Sequence, residues 1–169
     1  MIHVCSLARL YATVDETEAR HIVTLLRLTD RVTRPAHVAP ENHLILAVDD
    51  IVSAPEGDQT LPADEHVKRL IAFAKTWDRS TPMVVHCFAG ISRSTAAAYT
   101  AACALNPNRD EREVAQAIRS ASPTAAPNAR IVAIADRLLK RDGRMVRAVE
   151  TLGPALVATE GHPFRLDID

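Results

Sequence analysis

One stretch of the sequence combines a thiol and a guanidinium at a spacing suited to phosphate chemistry. Cys87 and Arg93 are separated by five uncharged residues. The segment from Met83 to Val85 is apolar and typical of a buried strand, whereas Ser94 to Ala98 favours a helix, so a strand-to-helix loop is predicted between them. Such a loop presents backbone N–H groups to an anion, and the start of the helix reinforces them.

The two ends of this loop define the chemistry it could perform. A thiol beside N–H donors and a helix start is favoured as the thiolate, the nucleophilic form of cysteine. Arg93 provides a permanently charged, planar fork that can bind two oxygens of a phosphate. Gly90 provides the backbone freedom that a tight turn requires. We therefore interpret Cys87 as a nucleophile toward phosphorus rather than as a buried structural thiol near a surface arginine.

The motif His86-Cys87-(five residues)-Arg93-Ser94 resembles the signature of the cysteine-dependent protein tyrosine phosphatase superfamily, and is most similar to its dual-specificity branch. The resemblance implies that Cys87 attacks phosphorus to give a phosphocysteine and that Arg93 holds the phosphoryl oxygens. It also implies that Ser94 assists departure of the thiolate and that His86 tunes Cys87 from behind. The substrate-binding residues that it implies are Phe88, Ala89, Gly90, Ile91, Ser92 and Arg93.

This mechanism needs a carboxylic acid above the loop, because an alkoxide or phenoxide leaves poorly unless it is protonated. Four acids lie between residues 49 and 58, upstream of the loop, namely Asp49, Asp50, Glu56 and Asp58. In related dual-specificity enzymes the acid follows the preceding strand, and the junction after the apolar run His43 to Val48 resembles that position. We predict Asp50 as the general acid, with Asp58 as second choice and Asp49 as a capping or structural residue.

The composition of the chain limits its expected partners, location and cofactors. The chain has 169 residues, a net charge of −1 and a pI near 6.7, so we expect one phosphatase domain over residues 1–169 and no nucleic-acid or membrane partner. No apolar run is long enough to span a bilayer and no signal peptide is evident, which together with three cysteines predicts a reducing, cytoplasmic location. The seven histidines lack metal-ligand spacing, so no metal or other cofactor is expected.

The elements that must position the loop follow from periodicity. Strands are predicted at Ile2 to Leu7 and His43 to Val48, and a helix is predicted from the cap at Asp15 through Leu26. Further helices are predicted behind Pro62, after the loop, after Asp110 and after Asn128. Strands that alternate with helices indicate an α/β fold in one domain, with a mainly parallel central sheet flanked by helices, as in phosphotyrosine protein phosphatases.

The resulting prediction is a protein-tyrosine or dual-specificity phosphatase acting on a phosphorylated protein or a small phosphomonoester. The sequence does not determine the oligomeric state or the preference between phosphotyrosine and phosphoserine or phosphothreonine. One alternative is a phosphoprotein-binding pseudophosphatase, which would keep the anion loop but lack a working acid. A rhodanese-like sulfurtransferase is a second alternative, disfavoured because Gly90, Arg93 and Ser94 stand in the phosphatase register. A GxxxxGK[ST] nucleotide loop is absent.

Overall fold

Five strands form a single sheet in the computed structural model, which describes residues 1–168. The strands are β1 (Ile2–Ser6), β2 (His21–Leu26), β3 (His43–Ala47), β4 (Met83–Cys87) and β5 (Phe164–Leu166). Their order in the sheet is β3-β2-β4-β1-β5, and only β5, at one edge, runs antiparallel to its neighbour. This confirms the predicted α/β fold with a mainly parallel central sheet, and β4 lies at its centre.

Helices cover both faces of the sheet. They are α1 (Leu10–Thr17), α2 (Asp64–Thr76), α3 (Arg93–Leu105), α4 (Glu111–Ala121), α5 (Ala129–Leu138) and α6 (Arg144–Glu150). One hydrophobic cluster joins α1 to one face, and a larger cluster joins the other helices to the opposite face. In α3 nearly every side chain is buried, and its many alanines let this helix lie close against β1 and β4.

Alternation along β4 separates the two residues of the His-Cys pair. Val85 and Cys87 belong to the larger cluster under α3, whereas Val84 belongs to the cluster under α1. Because successive strand residues point to opposite faces, His86 lies on the α1 face and Cys87 on the α3 face. The parallel register places Cys87 beside Ser6 of β1, at the carboxyl end of the central strand. Ligands of such sheets bind beyond these strand ends.

The predicted helix from Asp15 to Leu26 is wrong. Helix α1 begins at Leu10 and ends at Thr17, where Glu18 takes a left-handed φ of 55°, and the chain then enters β2. Residues 22–26 of β2 are all buried, because β3 and β4 flank the strand and helices cover both of its faces. An apolar run buried on both faces carries no period of two, and several of its residues coincide with helical spacing.

The caps predicted downstream are confirmed. The Asp110 side chain accepts from the N–H of Arg112 at 2.7 Å and starts α4, and Asn128 caps α5. The segment Phe164–Leu166 pairs with β1 as the short edge strand β5. Over residues 1–168 no helix combines the length and the apolar character needed to cross a bilayer.

Candidate active site

The segment between β4 and α3 forms a cradle of backbone N–H groups, as the strand-loop-helix prediction requires. Four of its carbonyl groups are turned outward and accept hydrogen bonds from three other segments of the chain. The pairs are Phe88 O with Leu7 N (3.1 Å), Ala89 O with Gly161 N (2.9 Å), Ile91 O with Ala126 N (3.0 Å) and Ser92 O with Asn128 N (3.3 Å). Among residues 1–168 no backbone acceptor takes the N–H groups of Phe88, Ala89, Ile91, Ser92 and Arg93. These N–H groups are therefore available to an anion.

Gly90 is the residue that allows the cradle to close against β1. Its φ is +74°, and a Cβ at this position would lie 2.8 Å from the carbonyl carbon of Cys5 and from the nitrogen of Ser6. A side chain would thus meet both conformational strain and a backbone that cannot move aside. The N–H of Gly90 donates to Cys87 Sγ at 3.3 Å. The turn and the placement of the thiol depend on the same glycine.

Cys87 lies at the base of the cradle, and only 2% of the residue is exposed. Its Sγ accepts a hydrogen bond from the N–H of Gly90 and is 3.2 Å from Ser94 Oγ. Ser94 is fully buried. Both contacts hold the sulfur at the base of the cradle. The geometry therefore gives Ser94 direct contact with the sulfur, as the assigned role in thiolate departure requires.

Arg93 lies with its guanidinium buried at the side of the cradle, where 7% of the residue is exposed. Nη1 donates to the carbonyl of Val48 at 2.8 Å, which anchors the side chain to the end of β3. Nε is buried and has no hydrogen-bonding partner among residues 1–168. A buried charged donor without an acceptor is costly, and a phosphate oxygen would satisfy it.

His86 lies behind the loop, on the face of the sheet away from the sulfur. Its Nε2 is 2.7 Å from Thr24 Oγ1, and the same hydroxyl is 2.8 Å from His43 Nε2. Burial lowers the pKa of His86 to about 4, so the imidazole is neutral at neutral pH. A neutral, hydrogen-bonded side chain at this position holds the end of β4 in place behind the thiol.

Asp50 lies at the rim of the cradle. Its Oδ1 accepts from Ser92 Oγ at 2.7 Å and from Asn128 Nδ2 at 2.8 Å, so it contacts both the loop and the start of α5. Oδ2 has no hydrogen bond within residues 1–168, and the residue is exposed. An acid that keeps one oxygen fixed and the other free can carry a proton on the free oxygen.

The other acids of this segment lie elsewhere. Asp49 Oδ2 accepts from the N–H of Thr60 at 2.7 Å, and the N–H of Asp49 donates back to the carbonyl of Thr60 at 2.9 Å. This pair closes the base of the loop that carries Asp50. Asp58 lines a separate depression with Arg27 and Asp49, whereas Glu56 shares the pocket of Asp50. Of the three aspartates considered, only Asp50 contacts the cradle.

Sequence reasoning treated Asn128 as a structural residue and missed its contact with Asp50. Asn128 Oδ1 accepts from the N–H groups of Arg130 and Ile131 at 3.1 Å each, while Nδ2 donates to Asp50 and, at 3.4 Å, to the carbonyl of Ile51. Only 4% of the residue is exposed. An asparagine amide can cap a helix with its oxygen and donate with its nitrogen. The sequence indicated Asn128 as a helix cap, but only the tertiary structure determines which group its side-chain N–H₂ contacts.

A pocket of about 590 Å³ adjoins the cradle on the Asp50 side. It is bounded by residues 50–54, by Ser92 and by the turn from Ala126 to Ala129. The charged side chains that line it are Asp50 and Glu56, and no lysine or arginine of residues 1–168 lines it. The pocket can therefore accept a neutral or cationic group beside the phosphate, and it offers nothing that would neutralise additional phosphates.

The two remaining cysteines lie apart from this chemistry. Cys5 and Cys103 are buried, and burial raises the pKa of each thiol to about 12. They are protonated at neutral pH and are not nucleophiles. No cluster of three or more His, Cys, Asp or Glu side chains within the described 168 residues is arranged to hold a metal ion.

Comparison with known proteins agrees with this geometry. The family model for protein-tyrosine phosphatase matches residues 55–125, which contain the whole cradle. No curated protein sequence matches the chain significantly. Several solved structures share the fold at low sequence identity. DUSP15 has a TM-score of 0.65 and 20% identity, with 89% of this chain and 90% of that chain covered.

Two further solved structures widen the comparison. Human DUSP28 has a TM-score of 0.58 and 21% identity, with 83% of this chain and 88% of that chain covered. PTPMT1, solved in complex with PI(5)P, has a TM-score of 0.63 and 16% identity, with 83% and 91% covered. The fold, the family model and the signature residues are in agreement. Over residues 55–125 the chain is similar to protein-tyrosine phosphatases, and its fold is similar to that of the dual-specificity phosphatases DUSP15 and DUSP28.

Proposed function

We propose that the chain is an active phosphatase that hydrolyses phosphomonoesters, phosphotyrosine foremost, through a phosphocysteine on Cys87. One observation carries the proposal. The Cys87 sulfur, the N–H groups of the loop that lack backbone acceptors and the unsatisfied Nε of Arg93 belong to one cradle, with Asp50 bonded to its rim. A dianionic phosphate is the ligand that satisfies such a set of donors while presenting an electrophilic centre to the sulfur.

The first step is attack of the Cys87 thiolate on phosphorus. The S–P bond forms as the P–O bond to the leaving group breaks, and Asp50 transfers its proton to the departing oxygen. Arg93 and the loop N–H groups bind the equatorial oxygens, where charge accumulates in the transition state. Since Oδ1 of Asp50 is occupied by Ser92 and Asn128, the free Oδ2 holds the transferred proton.

The second step hydrolyses the phosphocysteine. Asp50, now a carboxylate, takes a proton from water, the water oxygen bonds to phosphorus and the S–P bond breaks. The sulfur departs as a thiolate, and Ser94 Oγ, 3.2 Å from Sγ, can donate to it. Inorganic phosphate leaves, and Asp50 is protonated again as at the start.

The pseudophosphatase alternative requires an intact cradle without a working acid. The contact between Asp50 and Ser92 favours the enzyme, because an acid is attached to the loop itself. The sulfurtransferase alternative has no comparable support, since the matched family model and the similar structures are those of phosphatases.

The experiment is release of phosphate from phosphotyrosyl and phosphothreonyl peptides by the wild-type chain and two variants. We expect Cys87→Ser to abolish turnover and to retain phosphopeptide binding. Arg93→Lys keeps the charge but loses the fork, so we expect a loss of about 100-fold or more in kcat/KM. Turnover in Cys87→Ser would refute the assigned nucleophile. Binding without turnover by the wild-type chain would establish the pseudophosphatase instead.

A further inference from the structure

A groove that shares no residue with the Asp50 pocket flanks the cradle. It has a volume of about 390 Å³ and is lined by Leu7, Ala8, Phe88, Ala89, Thr159 and Glu160. Phe88 and Ala89 are the first two residues of the loop after Cys87, so the groove begins directly beside the cradle. The C-terminal segment that supplies Glu160 is fixed there, because the N–H of the next residue, Gly161, donates to Ala89 O at 2.9 Å.

Glu160 is the one charged residue that lines the groove, and its position is fixed. Its Oε1 accepts from Ser6 Oγ at 2.5 Å, and Ser6 is fully buried at the end of β1. No lysine or arginine among residues 1–168 forms an ion pair with Glu160. Glu160 is thus an exposed carboxylate with one oxygen oriented by Ser6 and the other oxygen free.

The rest of the groove complements the stem of a long cationic side chain. Phe88 is 61% exposed, so its ring is available to a cation. Leu7, Ala8 and Ala89 provide apolar surface, and lysine and arginine cover such surface with their methylene groups while the charged head stays at a polar site. A guanidinium that contacts a carboxylate and an aromatic face gains from both interactions.

We propose that this groove is a subsite for an arginine or lysine that lies close to the phosphorylated residue of a peptide substrate. The inference rests on the proposed function and names its substrate class as phosphopeptides with a basic neighbour. The Asp50 pocket has the same charge preference, because Glu56 lines it and no lysine or arginine of the described residues does. Both surfaces beside the cradle thus favour cationic over anionic neighbours.

The test measures binding by the Cys87→Ser variant, so that it does not depend on turnover. The probes are phosphotyrosyl peptides that carry either arginine or its neutral isostere citrulline at one position between −3 and +3. At one or more positions we expect arginine to bind about three- to tenfold more tightly, the range for a partly exposed ion pair with an aromatic contact. This advantage should shrink as ionic strength rises, because exposed charges are screened.

A second substitution in the Cys87→Ser background isolates the carboxylate. Glu160→Gln keeps an acceptor for Ser6 but removes the charge, so we expect it to remove most of the arginine advantage. Glu113→Gln is the matched control, since Glu113 is exposed on α4 and lines neither pocket, and it should leave the advantage unchanged. An advantage that persists in Glu160→Gln overturns the assignment of this groove.

The remaining outcomes separate the two proposals. Equal binding of arginine and citrulline peptides at every position, together with turnover by the wild-type chain, overturns the subsite and leaves the phosphatase standing. Failure of every phosphopeptide to bind overturns both. An arginine advantage without wild-type turnover supports the subsite and rejects the enzyme in favour of a phosphopeptide-binding module.

Discussion

Asn128 performs two tasks with two atoms, and substitution can separate them. Its Oδ1 caps α5, and its Nδ2 donates to Asp50 Oδ1 at 2.8 Å. Asn128→Ser keeps a side-chain oxygen for the cap but loses the donor to Asp50. Asn128→Ala loses both. Since serine and asparagine cap helices about equally well, the two variants should differ in stability and share the same catalytic defect.

The magnitudes follow from these contacts. Asp50 becomes a carboxylate as it transfers its proton, and a hydrogen bond to a charged group contributes about 2 kcal/mol. At 1.36 kcal/mol per factor of ten, its loss in the transition state corresponds to about 30-fold in rate. We therefore expect both variants to lose roughly 10- to 30-fold in kcat/KM. Loss of the cap costs about 1 kcal/mol, so Asn128→Ala alone should also lower Tm by about 2–4 °C.

The assay compares two aryl phosphates with different leaving groups. A basic phenol needs protonation as it departs, whereas an acidic phenol does not, so the loss should be large for the first and less than about threefold for the second. Asp50→Asn should give the same pattern more strongly and should erase the alkaline limb of the pH–rate profile. If Asn128→Ser retains the wild-type rate on the basic leaving group, the role of Asn128 in positioning Asp50 is refuted.

Three further predictions concern the thiolate, the substrate class and pH. Dilute peroxide should inactivate the enzyme by oxidising the Cys87 thiolate, and a thiol reductant should restore activity. Vanadate bound beforehand should protect the enzyme from peroxide. If the enzyme without vanadate resists peroxide, Cys87 is not a thiolate. Polyphosphorylated inositol lipids should be hydrolysed more slowly than phosphotyrosyl peptides at equal concentration, because the cradle residues between Cys87 and Arg93 and the adjoining pockets carry no additional cation; the reverse order would contradict this. His86 has a pKa near 6.5 in the unfolded state and about 4 in the folded state. The unfolded state therefore binds the proton more tightly, and the protein loses stability as the pH falls from about 6.5 to 4. At pH 5 the contribution of His86 to the free energy of unfolding should be about 2 kcal/mol lower than at pH 7. Urea denaturation at both pH values should show a smaller difference for His86→Asn, and an unchanged difference would mean that other groups dominate.

The chemistry of the site was readable from the chain because its parts are local. Cys87, Gly90 and Arg93 lie within one strand-loop-helix unit, where residue type, spacing and flanking periodicity together specify an anion cradle. The caps at Asp110 and Asn128 were equally local, since a side chain bonds to N–H groups two or three residues away. Resemblance to a known signature then supplied roles that spacing alone does not.

Strand β2 could not be distinguished from a helix by periodicity. Its residues are buried on both faces, and the pairing partners that decide its form, β3 and β4, are distant in sequence. An apolar run in such a position has no polar side to mark its period. Only the assembled sheet provides the hydrogen bonds that make an extended conformation the stable one.

The contacts around the cradle were likewise decided by tertiary structure. The outward carbonyls are held by Leu7, Gly161, Ala126 and Asn128, which come from three separate parts of the chain. The sequence placed three aspartates within reach of the site, but only folding brings Asp50 to Ser92 and directs Asp49 to Thr60. Hydrogen bonds between distant segments depend on where whole elements pack, and no local pattern records that packing.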